Sequence, residues 1–140
     1  MTPPESVRAL GTKTAADALA ARGITLGTHP ADSALNTLST LITETVDSVD
    51  GIQQQLLANA ETASRTLERV ITGRDTVYHG STDGLLQHTG VAIDMLVARR
   101  GEGIRLLRML ITSYADLRAA QEQPPPPPPA PIRAARRSRT

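Results

Sequence analysis

The chain has 140 residues, a formal net charge of +1, no Cys, Phe or Trp, and Tyr78 and Tyr114 as its two aromatic residues. Burial must therefore come from Leu, Ile, Val, Met and Ala, which fill helix–helix seams, whereas sheets draw on aromatic and β-branched side chains. This composition predicts an all-α fold and excludes disulfide and thiolate chemistry.

Charge is distributed unevenly. Arg133, Arg136, Arg137 and Arg139 hold four of the fifteen basic side chains, so the remainder sets eleven basic against fourteen acidic residues, a net of −3. Between Arg22 and Arg65 there is no basic residue, whereas Asp32, Glu44, Asp47 and Asp50 lie there. Asp32 suits the dipole at the start of a helix, and the other three require partners further away. Asp94 and Arg99-Arg100 interrupt the longest apolar candidates, so no stretch approaches the ~18 apolar residues of a membrane span. The first segment carries Glu5 and Asp17 without an apolar core, which argues against a cleaved signal peptide.

In chain order, residues 1–31 read as an arm with one short helix. Two prolines leave residues 1–13 without a period, and Thr14-Ala-Ala-Asp17 has capping-box spacing ahead of Ala18-Leu19-Ala20-Ala21, with Gly23 as the stop. Asp32 or Ser33 is the natural N-cap of a long helix over residues 32–72. Its apolar positions recur at steps of three and four: Leu35, Leu38, Ile42, Val46, Val49, Ile52, Leu56, Ala60, Ala63, Leu67 and Val70. At 100° per residue, and with Leu41, Leu57 and Ile71, they occupy an arc of roughly 160°. A polar break over residues 72–81 comes next, then a second long helix to Gln123. Its apolar residues, among them Leu85, Leu86, Ile93, Leu96, Leu107, Leu110 and Tyr114, spread over about 200°, more than one neighbouring helix covers.

These signals predict a long antiparallel helical hairpin over residues 32–123, with two helices of about forty residues. Reversal near residue 76 places Glu44 opposite Arg108, Asp47 opposite Arg105 or Leu106, and Arg69 opposite Asp83 or Gly84, so opposite charges align. The same register sets Gln53, Gln54 and Gln55 against residues 98–103, a polar layer with Arg99 and Arg100 inside the apolar arc. The competing architecture breaks both helices there, at Gly51 and Gly101, to give four short helices.

Pro124 to Pro129 form an unbroken run, followed by Ala130-Pro131. Residues 124–131 are expected as a polyproline II spacer or a ligand for a domain with a PPII-binding groove, and residues 132–140 as a disordered basic tail. Arg133, Arg136, Arg137 and Arg139 are candidate contacts to anions or nucleic acid.

No catalytic signature is present. Asp75, His79 and Asp83 share helical spacing, but Gly80 interrupts them and the ligand set is incomplete, so no metal or other cofactor is expected. Gly-x-Ser-x-Gly is absent, and Gly101-Glu102-Gly103 lacks the third glycine of a phosphate loop. Wide apolar faces without a pocket signature point to protein–protein association, and Leu35, Leu38, Ile42, Val49, Leu56, Ile93, Leu96, Leu107 and Leu110 are the candidate interface.

Two long helices meeting at a turn with an aromatic-x-Gly triplet, here Tyr78-His79-Gly80, resemble the small helical-hairpin substrates of type VII (ESX) secretion, whose hallmark is Trp-x-Gly. The resemblance covers residues 32–123. Tyr stands where the family has Trp, and the Tyr-x-x-x-Asp/Glu export signal is not met, since Arg118 stands four residues after Tyr114. The resemblance implies a dimer with itself or a related hairpin, a four-helix bundle, export without a cleaved signal and no catalysis. One Lys among fifteen basic residues, with abundant Ala, Arg and Pro, fits a GC-rich actinobacterial-type genome. The alternative is a cytoplasmic or phage-type structural adaptor whose hairpin oligomerises and whose Arg-rich tail contacts nucleic acid.

Overall fold

A computed structural model describes residues 2–74 and 84–129. Among the described residues four helices occur in order: α1 (Glu5–Arg8), α2 (Leu10–Ala20), α3 (Ala34–Ile71) and α4 (Gln87–Glu122). Helices α3 and α4 pack along one another as the expected hairpin, and the arm of α1 and α2 lies against them. Among the described residues no helix is long and apolar enough to cross a membrane.

Helix α3 begins at Ser33, whose Oγ accepts from the Asn36 amide at 3.1 Å and donates to the Pro30 carbonyl at 2.7 Å. It ends at Thr72, whose amide and hydroxyl both reach the Glu68 carbonyl. Neither long helix breaks. Gly51 and Gly101 are interior helical residues with open space where a Cβ would stand, so the four-short-helix alternative is not the fold. Helix α4 starts later than residue 81, at Gln87, after a turn closed by the Gln87 amide on the Gly84 carbonyl. Leu85 therefore lies outside the seam and is exposed.

The core has two parts. The larger, at the end away from the hinge, contains Ala15, Leu35, Ile42, Leu107, Ile111 and Tyr114, flanked by Leu19, Ile24, Leu26, Leu38, Val46, Leu110 and Leu117. The smaller joins Ile52, Leu56 and Leu96, with Ile93 against them. Fully burying residues such as Ile42, Leu107 and Ile111 stabilises the fold by about 1.5–3 kcal/mol each before entropy is counted. The arm makes the difference between the two ends: α2 and the segment after it add a third layer to the larger core, whereas toward the hinge only α1 lies on α3, its Pro3 and Arg8 side reaching Gln54 to Ser64.

The polar layer is narrower than expected. Gln53 is buried and accepts from Arg100 Nη1 at 2.9 Å, whereas Gln54, Gln55 and Arg99 are exposed. The charge pairing also differs. Glu44 and Arg108 form no ion pair, nor do Asp47 and Arg105; the contacts Lys13–Asp17, Arg65–Glu61 and Arg118–Glu122 are all within one helix at i, i+4. Glu44, Asp47, Arg105 and Arg108 are solvent-exposed, and closing such long side chains across a seam costs as much entropy as the screened attraction returns. The register nevertheless holds, because Gln53 meets Arg100 and Val49 meets Gly103.

At Gly103 a Cβ would lie 2.7 Å from Val49 Cγ2, so this glycine sets the closest approach of α3 and α4. Gly101→Ala is expected to stabilise the chain by about 1 kcal/mol through helix propensity. Gly103→Ala is expected to destabilise it by about 1–3 kcal/mol through overpacking, despite the same propensity gain. Urea unfolding of the two variants checks the opposite signs.

Candidate interaction surface

The arm is fixed at both ends by α3 and α4, and this decides which surface remains open. Asp50 of α3 caps α2 from outside the helix. Its Oδ1 accepts from the Gly11 amide at 2.6 Å, and its Oδ2 accepts from the Thr12 hydroxyl at 2.6 Å and the Thr12 amide at 3.3 Å. A carboxylate on free N–H groups at a helix start satisfies otherwise orphaned donors and complements the dipole. The approach is so close that a Cβ on Gly11 would stand 2.6 Å from the Val46 carbonyl oxygen. Thr14 and Asp17, read as a capping box, instead lie inside α2, and Asp17 Oδ2 pairs with Lys13 Nζ at 2.6 Å. A tertiary cap starts the helix a full turn earlier than the local signal does.

The far end of α2 closes at Gly23 (φ 64°), with the Ile24 amide on the Leu19 carbonyl at 3.1 Å and the Gly23 amide on that of Ala20 at 3.0 Å. The chain then crosses α4. Arg22 donates to Thr112 Oγ1 at 2.8 Å, and Arg118 Nη1 donates to the Thr25 carbonyl at 3.1 Å. Tyr114, fully buried, accepts from the Gly27 amide at 3.1 Å, and its hydroxyl lies 2.7 Å from His29 Nε2 with the rings edge to face. Tyr114 and Arg118, at the positions compared with the export signal, are thus packing and clasping residues.

The nine apolar residues expected at a partner interface lie elsewhere. Leu35, Ile42, Val49, Leu56, Leu96 and Leu107 are buried within the chain, and Leu38, Ile93 and Leu110 are partly buried against the same cores. They form the hairpin's own seam. Periodicity locates an apolar face but does not say what covers it.

What remains uncovered is a second set. On α4, Val91 (59 % exposed), Met95 (61 %), Leu106 (48 %) and Met109 (59 %) face outward. At 100° per residue they fall in an arc of about 60°, centred about 130° from the buried face of Leu96, Leu107, Ile111 and Tyr114. The wide apolar spread of α4 thus resolves into two stripes, of which α3 covers one. Beyond the arm, a groove of about 550 Å³ is lined by Ala60, Ala63, Ser64, Leu67, Glu68, Ile71 and Ile93, with Ile71 85 % exposed.

Tyr78 and Gly80 of the hinge triplet, the trio Asp75, His79 and Asp83, and Arg133, Arg136, Arg137 and Arg139 lie outside the described residues. Among the described residues no group of three or more His, Asp or Glu side chains is placed to hold a metal ion.

Asp50→Ala is expected to destabilise the chain by about 1–2 kcal/mol, as loss of an N-cap does, and to speed tryptic cleavage at Lys13 as the arm loosens. Urea unfolding with timed proteolysis measures both. No family model matches the chain, and comparison with curated proteins and with solved structures returns no match.

Proposed function

We propose that this chain is a non-enzymatic interaction protein whose hairpin associates with a second helical hairpin, its own copy or a related chain, in a four-helix assembly. The observation that carries the reading is the outward apolar stripe of Val91, Met95, Leu106 and Met109 on α4. Exposed apolar side chains aligned on one face of a helix are surface of the kind a partner covers. The seam is already filled from within, so the partner meets this outer stripe.

The resemblance to type VII substrates extends the proposal to export without a cleaved signal, and two long helices packed as a hairpin support that extension. The polyproline run begins directly at the end of α4, which suits a spacer that holds the tail away from the bundle. Export is tested by following the protein into culture supernatant: it is expected there when a type VII system is intact, and release that continues without the system refutes this part.

The full chain is expected to sediment as a dimer at high micromolar concentration, or to form one with a related hairpin; a well-folded monomer that takes up neither refutes the association. Met95→Ala with Met109→Ala is expected to weaken association while changing monomer stability by less than about 1 kcal/mol, because both side chains are exposed. Leu107→Ala, in the seam, is expected to cost about 2–5 kcal/mol of folding stability. Unfolding in dilute solution beside sedimentation separates the two effects.

A further inference from the structure

We infer that the outer stripe of α4 pairs with the same stripe of a second copy, antiparallel, about a two-fold axis opposite residue 100. This rests on the association proposed above and commits it to one occupant and one register. Val91 and Met109 are equidistant from residue 100, and Met95 and Leu106 are nearly so. Antiparallel pairing there sets Val91 on Met109 of the second copy and Met95 on its Leu106, so each exposed side chain meets an apolar one. A two-fold contact makes each pairing twice.

The charges obey the same axis. Asp94 and Arg105, both exposed, flank the stripe on one side at about 300° and 320° on the wheel that places Val91 at zero. Like flanks face each other in an antiparallel pair, so Asp94 lies opposite Arg105 of the second copy, and Arg105 opposite its Asp94. Glu102, which interrupts the stripe, falls opposite Ala98 and beside Arg99 of the second copy. Within the described chain Asp94, Arg99, Glu102 and Arg105 form no ion pair. A parallel pairing in register would instead set Glu102, at the middle of the stripe, on Glu102 of the second copy, and would turn the Asp94–Arg105 flank of each copy away from that of the other. An unrelated partner would have no reason to match a stripe and flank that complement themselves.

The chain has no Cys, so introduced thiols are the only ones. Full-length Met95→Cys and Leu106→Cys chains, mixed and oxidised, are expected to form a disulfide between the two variants. Met95→Cys alone is expected to give little, because two copies of position 95 stand about 15 Å apart along the axis. Asp94→Arg or Arg105→Asp alone is expected to raise the dimer Kd about threefold to tenfold, and the double reversal to restore it. A chain that still dimerises but shows no 95–106 cross-link, or whose double reversal is no better than the single ones, overturns this register while the association stands. A folded monomer at every concentration overturns the self-pairing as well.

Discussion

One turn of α3, from Val49 to Gln53, holds the molecule together. Val49 packs on the backbone of α4 at Gly103, Asp50 receives the first amides of α2, and Gln53 takes the guanidinium of Arg100. Three contacts on neighbouring positions fix α4 and α2 against α3. The apolar one sets distance, the charged one sets where the arm begins, and the polar one sets register. Because Gln53 is buried, a slip of α4 along α3 would leave its amide without a partner, which costs more than the bond itself contributes.

The two ends of the hairpin differ as a consequence. Pinned at Asp50, α2 runs away from the hinge, and Tyr114 and Arg118 clasp the segment from Thr25 to His29. That end has three layers and the larger core. The other has the small cluster of Ile52, Leu56 and Leu96, with Leu67, Val70 and Ile71 exposed. Two helices cannot enclose a wide apolar arc, since each buries one stripe on the other. The stripe of Val91, Met95, Leu106 and Met109 runs along both ends of α4 and stays uncovered because α3 and the arm occupy other faces of that helix.

The outer stripe of α4 is separated from the seam by about a third of a turn, so one face serves folding and the other is left exposed. Substitutions in the seam therefore bear on folding, and those on the outer stripe bear on the proposed association. The same division gives Arg99 and Arg100 different surroundings despite their adjacency: Arg100 reaches into the seam to Gln53, and Arg99 points to solvent beside the stripe.

Much of this was legible in the residues. Steps of three and four from Leu35 to Val70 specify a helix whatever surrounds it, Ser33 is a local cap, and the polar positions Gln53 and Arg100 bring the hairpin into register. The first two are short-range signals, set by backbone geometry and nearby side chains, and the polar pair acts only once the two helices meet. Three outcomes rest on contacts between residues far apart in the chain. Asp50 overrode the Thr14–Asp17 capping spacing because a carboxylate thirty-nine positions away accepts from the Gly11 amide. Leu35, Ile42 and Leu107 turned inward rather than toward a partner because the same periodicity describes any covered face. Tyr114 became a buried clasp because Gly27 and His29 were brought to it from across the fold. The sequence by itself determined the helices and their pairing, since those depend on local periodicity. The tertiary structure alone decided which apolar face is used in folding and which is left over, because that depends on which stripes of α3 and α4 meet and on where the arm packs.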